Sequence, residues 1–266
     1  MKLTDLYFNN RFFGKNMFRS FDAKEELGQK LLEVFQQVYI INLPERADRR
    51  REIEGQLARL GLSSAHPSIS FFKAVKPSEA GGWPSVGAHG CFMSHLGVLE
   101  EALESRFDNV LILEDDMDWS PRFIDGGMRI LDELGSKTWH FIHGGLRSPK
   151  AKSAEPVLRA LSPEAALTQT HFIGLSAPAI ASAAAYLKTI ASRPPGHPEG
   201  GPMHVDGAYS WFRKSNPALD AYYFEPAIAV QRASRTDIHG NRWYDVMPGF
   251  AQAAGLFRGL RNRFNS

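Results

Sequence analysis

At 266 residues, the chain suits one large α/β domain or two small ones, and a formal net charge of +2 gives it no global basic field for nucleic acid. A single cysteine, Cys91, excludes an intramolecular disulfide framework and a cysteine-rich zinc site, and fits a reducing compartment. No apolar run approaches the roughly 20 residues of a membrane span, and "MKLTDLYFNNRFFGKNMF" lacks the apolar centre of a secretory leader, so a cytosolic, enzyme-sized domain is expected.

In chain order, "AKEELGQKLLEVFQQ" (23–37) predicts a helix, and the β-branched run "VYIINL" (38–43) a strand. "PERADRRREIEGQLARLGL" follows as a helix, with Pro44 near its start and Gly61 at its stop. Strand then helix, early in the chain, opens a parallel α/β unit. "ISFFKAV" (69–75) reads as a second strand and "GGWPSVGAHG" (81–90) as a glycine-rich loop. "CFMSHLGVLEEALES" has helical periodicity through Phe92, Leu96, Leu99 and Leu103. "NVLILEDD" (109–116) predicts the next strand and "PRFIDGGMRILDEL" a helix behind Pro121. "WHFIHGG" and "THFIGLSAP" are short strands, "AIASAAAYLKTIAS" a helix before the loop "RPPGHPEGGP". "VDGAYSWFRKS" and "AYYFEPAIAVQ" predict a last helix and one final strand. There is no internal repeat.

The stretch that carries chemistry is "VLILEDDMDWS" (110–120). Four apolar residues give way to Glu114, Asp115, Asp116 and Asp118, four like charges where a buried strand ends. In open α/β sheets ligands bind beyond the carboxyl ends of the strands. Carboxylates crowded there are tolerable if a divalent cation neutralises them, and oxygen-only ligands favour Mn²⁺ or Mg²⁺ over Zn²⁺. The competing reading is a solvated acidic turn, with Asp118 capping the helix that begins at "SPRF".

"VYIINLPERADRR", "GAHGCFMSHLGVLEEAL" and "VLILEDDMDWS" together resemble glycosyltransferase family 25. That family includes lipopolysaccharide and lipooligosaccharide galactosyltransferases and the procollagen galactosyltransferase domain. The most specific element is Gly87, Gly90, Cys91, Ser94 and His95. The likeness is strong over residues 38–120 and thinner to about 240. It implies a GT-A type fold, a Rossmann-like and mostly parallel sheet flanked by helices in a single domain. It also implies a nucleotide-sugar donor, most often UDP-galactose, a divalent metal and inversion at the anomeric carbon. The family's acidic motif maps onto Glu114, Asp115 and Asp116. Asp116 also opens a literal Asp-x-Asp with Asp118, so it belongs to both frames and is the firmest metal ligand.

Sugar transfer needs the leaving diphosphate stabilised, which a metal does as a Lewis acid, and the acceptor hydroxyl deprotonated. By the family resemblance the base is an acid at the head of a helix, here Asp206 beside His204; the alternative is that Asp206 only caps that helix. In "VQRASRTDIHGNRW", His239 and Asp237 are candidates to complete the metal shell. Arg232 and Arg235 are candidates to fork onto phosphate oxygens. On the donor side, Asn42 at a strand end and Arg49 in the next helix are expected to address base, ribose or phosphate. Ser94 and His95, at a helix start behind glycines where free N–H groups favour anions, are expected to contact donor or acceptor. Cys91 reads as a small buried thiol.

The expected organisation is a helical extension over 1–35, the transferase domain over 36–244, and a basic amphipathic tail over 245–266. That tail carries Phe250, Leu256, Phe257, Leu260 and Phe264 among Arg258, Arg261 and Arg263, a composition suited to an anionic membrane face. It suggests peripheral placement on the inner leaflet, near a glycan or glycolipid acceptor. Two other function classes stand beside the transferase. One is a hydrolase using separated carboxyls; the other is a catalytically silent relative that binds a sugar nucleotide or a partner.

Overall fold

The computed structural model describes residues 24–146 and 155–232. The first helix, α1 (24–34), leads into β1 (Gln37–Asn42), α2 (Ala47–Ala58), β2 (Ile69–Lys73), α3 (Val86–Ser105) and β3 (Asn109–Glu114). Then come β4 (Met117–Trp119), α4 (Pro121–Gly135), β5 (Phe141–His143), β6 (Val157–Ala160) and β7 (Phe172–Ser176). The remainder is α5 (Ala177–Ser192), α6 (Val205–Ser215), β8 (Ala221–Glu225) and β9 (Ala229–Gln231).

Seven strands form one sheet in the order β2-β1-β3-β7-β5-β8-β6. Only β7 and β6 run against the rest, so the sheet is mostly parallel, as the sequence predicts. The two crossovers around β1 are helical, as parallel pairing requires. Strand residues alternate between two cores, the signature of a sheet covered on both faces. Tyr39, Ile41, Val110, Ile112, Ile173 and Leu175 point to the layer of α3, α5 and α6. Val38, Ile40, Leu111, Leu113, Phe172 and Ile142 point to the layer of α1, α2 and α4. Helix α1 contributes Leu27, Leu31 and Val34 to the second core, and Lys30 ties it to Asp132 of α4 at 2.8 Å.

Three local features differ from the sequence reading. The segment read as one final strand is two, β8 and β9, broken at the cis Glu225–Pro226 bond. β9 leaves the main sheet to pair antiparallel with β4, so the acidic stretch continues into a strand rather than a simple turn. Asp118 does not cap the next helix: it lies inside β4, and the cap of α4 is Ser120, whose hydroxyl accepts from Phe123 N at 3.3 Å. Among the described residues, no helix is long and apolar enough to cross a membrane. The tail over 245–266 lies outside the described residues.

Candidate active site

The carboxyl ends of β1, β2 and β3 share one edge of the sheet, since all three run the same way. Because β7 is antiparallel, its start rather than its end arrives there, with Leu113 opposite Phe172. The first turns of α3 cross this edge. Between them opens a cleft of about 260 Å³ lined by Arg49, Val75, Gly90, Cys91, Glu114 and Asp115, among others. Gly90 sets how closely the helix approaches, because a Cβ there would stand 2.5 Å from the Val75 carbonyl oxygen. Gly90→Ala is therefore expected to lift α3 off the 74–77 segment and lower the melting temperature; an unchanged melt would show that the cleft wall yields freely.

The like charges of the acidic stretch point in different directions, and each meets its own partners. Asp115, buried, accepts from Asn42 Nδ2 at 2.7 Å and from Arg49 Nη1 at 3.0 Å. Glu114 accepts from Thr170 Oγ1 at 2.6 Å and lies 3.4 Å from His95 Nε2. Burial works to raise its pKa, yet His95 and Thr170 outweigh burial and hold it below the ordinary glutamate value. Asp118 is gripped by Arg232, with Nε 3.1 Å from Oδ1, and that arginine also pairs with Glu52. Asp116 accepts from Gln231 Nε2 at 3.2 Å through Oδ2, with Arg49 Nη1 at 3.8 Å. Its Oδ1 is buried and has no hydrogen-bond partner. Burial first, and then the charge of Glu114, pushes the Asp116 carboxyl up to about 7.

The other residues singled out in the sequence fall into distinct roles. Asn42 and Arg49 are brought to the site, but both are engaged with Asp115. Ser94 lies under the cleft wall, where its hydroxyl donates to Gly90 O at 2.6 Å and accepts from Val75 N at 2.8 Å. It thus joins the helix to the strand exit. His95 is fully buried between Glu114 and Tyr209, whose hydroxyl is 3.3 Å from Nδ1. Asp206 stands in the first turn of α6, half-buried, where Gly207 N donates to Oδ1 at 2.7 Å and Gln169 N to Oδ2 at 3.4 Å. The charges of Glu114, Asp116 and Asp206 all add to burial in pushing the Cys91 thiol up, so the structure brings Asp206 into the field of the acidic stretch. His239, Asp237 and Arg235 lie outside the described residues.

Several contributors were not singled out in the sequence. Thr170 precedes β7 and Gln231 ends β9, and both were read only as parts of strands. Tyr209 is read only as part of the last helix. His143 closes β5, fully buried, with Nε2 2.9 Å from Gln169 O and Gly145 N donating to Nδ1 at 3.2 Å. Burial lowers its pKa to about 4, so it stays neutral at physiological pH. It anchors the same Gln169 segment whose N–H meets Asp206.

This donor set fits a hard divalent ion at Asp116. A carboxylate oxygen withheld from every protein donor, in a site that already strains against its own negative charge, is what a cation would relieve. Asp115 fits less well, because both its oxygens are already occupied.

Residues 84–174 match the family model for glycosyltransferase family 25 (LPS biosynthesis protein). A glycosyltransferase 25 family member of Drosophila pseudoobscura pseudoobscura is 28% identical over 133 residues, covering 44% of this chain and 21% of that protein. Procollagen galactosyltransferase 2 of Homo sapiens is 25% identical over 140 residues, covering 46% of this chain and 22% of that protein. The chain thus spans about a fifth of the length of these curated relatives. Among solved structures, a glycosyltransferase involved in the glycosylation of the major capsid of PBCV-1 aligns with a TM-score of 0.46 at 11% identity, over 75% of this chain and 94% of that one. The matched span runs from the cap of α3 through the acidic stretch to the middle of β7, and over that span the chain is similar to glycosyltransferase family 25.

Proposed function

We propose that the chain is a metal-dependent, inverting hexosyltransferase. It moves galactose from UDP-galactose to a hydroxyl of a glycan or glycolipid acceptor, in the assembly of lipopolysaccharide or another cell-surface glycan. The observation that carries this reading is the partnerless, buried Oδ1 of Asp116 beside the cleft, within the family-matched span. Asp116, with Glu114 beside it, would hold Mn²⁺ or Mg²⁺. When bound, such an ion supplies Lewis-acid stabilisation of the charge on the leaving diphosphate.

The chain's own residues account for the rest. Arg49 and Asn42 fix Asp115, so the turn that presents Asp116 cannot swing away. The segment around Val75, pinned by Ser94, walls the cleft and excludes water from one side. Asp206, held by two backbone N–H groups, takes the proton from the acceptor hydroxyl as its oxygen attacks the anomeric carbon. The base accepts that proton and the diphosphate leaves with the bonding pair.

The test is UDP release from a panel of UDP-sugars with Mn²⁺, followed by transfer to candidate glycans. Release with one sugar, abolished by EDTA, is expected. Asp206→Asn should lower transfer by about 10²–10⁴-fold, the usual share of a general base, while Mn²⁺-dependent UDP binding persists. Mn²⁺-dependent binding without turnover would instead identify a silent relative. Unimpaired transfer by Asp206→Asn would place the base elsewhere.

A further inference from the structure

The cleft also holds a donor set of different chemistry. Cys91 and His95 are four residues apart on α3 and so share one face; Glu114, at the end of β3, lies against that face. A sulfur of Cys91, a ring nitrogen of His95 and a carboxylate oxygen of Glu114 all lie within 4.8 Å of one another. Two ligands about 2.0–2.1 Å from a tetrahedral ion stand about 3.3 Å apart. The His95 Nε2 to Glu114 Oε1 separation of 3.4 Å already has this spacing. A sulfur–nitrogen or sulfur–oxygen edge is about 3.6 Å on the same geometry, so the thiol has at most on the order of 1 Å to close.

The supports behind these groups suit the same purpose. A histidine that ligates through Nε2 normally donates its other N–H to a fixed acceptor. Here the Tyr209 hydroxyl, fully buried, stands 3.3 Å from Nδ1 and can accept it. Thr170 fixes the Glu114 carboxylate at 2.6 Å. Cys91 and Glu114 both line the cleft, whereas His95 is buried beneath it.

We propose that Cys91, His95 and Glu114 form a three-ligand site for a borderline-soft divalent ion such as Zn²⁺, with its fourth position open to the cleft. Sulfur and nitrogen donors select this class of ion over Mn²⁺ and Mg²⁺. On binding, the thiol releases its proton to solvent. The site is separate from the one at Asp116 but borders it through Glu114, so the two ions draw on one carboxylate, and Zn²⁺ acts as a competitor of the hard ion.

Titration of the full chain with Co²⁺ tests this without any activity assay. The expected result is a near-ultraviolet thiolate-to-cobalt band with the visible spectrum of a four-coordinate ion, reversed by Zn²⁺. Cys91→Ala should abolish the band and weaken Co²⁺ binding more than tenfold; Cys91→Ser, which keeps the volume, should also lack it. Circular dichroism is the control that both variants fold. Asp116→Asn should leave the band in place. A folded chain with no thiolate band, or a band that survives Cys91→Ala, would overturn the site and leave a hydrogen-bonded histidine–carboxylate pair. Loss of the whole Co²⁺ spectrum in Asp116→Asn would overturn it too, by placing the ion at the acidic stretch.

Discussion

Replacing Asp116 by alanine is expected to lower metal-dependent sugar transfer by about 10³-fold, the equivalent of about 4 kcal/mol of lost transition-state stabilisation. Rates measured against Mn²⁺ concentration check this; a loss of under tenfold would mean that another group holds the ion. Asparagine at the same position separates charge from shape. The native carboxyl titrates near 7, against 3.8 as its ordinary value. Between those limits the native state binds more protons at this carboxyl than the unfolded chain does, so its contribution to stability is fully present below about pH 4 and is lost as pH rises through 7. At pH 8 the burden on the metal-free protein is at most about 4 kcal/mol. Asp116→Asn should therefore melt higher than the metal-free wild type at pH 8, with the gap closing toward pH 4. Mn²⁺ should narrow the gap from the wild-type side. A gap that ignored both pH and metal would show that the carboxyl is not under charge strain.

The second large effect is on stability. Arg49 and Asp115 form a buried pair, their side chains only 11% and 8% exposed. Removing one partner of such a pair leaves an uncompensated charge and costs about 3–5 kcal/mol. Arg49→Met should accordingly lower the melting temperature by about 10 °C, and adding Asp115→Asn should restore part of the loss. The sequence assigns Arg49 to the donor; the structure spends its Nη1 on Asp115. Calorimetry with UDP distinguishes the two. A variant that melts normally but has lost UDP affinity would return the guanidinium to the donor phosphates.

β1, α3 and β3 were legible from sequence because their apolar spacing survives any context: six buried residues in a row in β1, a helical stripe from Phe92 through Leu99. The glycine-rich stretch was misleading. Gly87 and Gly90 suggested a loop, yet α3 starts at Val86 behind the Ser85 cap, because Gly90 is needed for close approach rather than for a turn. β4 and β6 had too few residues for a pattern, and β4 exists through pairing with β9, more than a hundred residues away. The acidic cluster itself was conspicuous, but its internal bookkeeping was not. Thr170, Tyr209 and Gln231 are ordinary side chains whose roles arise only from tertiary placement. Asp118 shows the limit most clearly: its distance from Ser120 suggests a cap, and only the fold reveals Arg232.

The partners of the acidic stretch come from widely separated parts of the chain. Asn42 is 73 residues before Asp115, Thr170 is 56 after Glu114, and Gln231 is 115 after Asp116. Each of these partners therefore reaches its carboxylate only when the distant segment that carries it is in place. In the finished fold Glu114, Asp115 and Asp118 each have their counterpart, while one oxygen of Asp116 is still without one. The residues that make the cleft chemically useful therefore meet only through long-range tertiary contacts, and a change in any one of the distant segments reaches the acidic stretch.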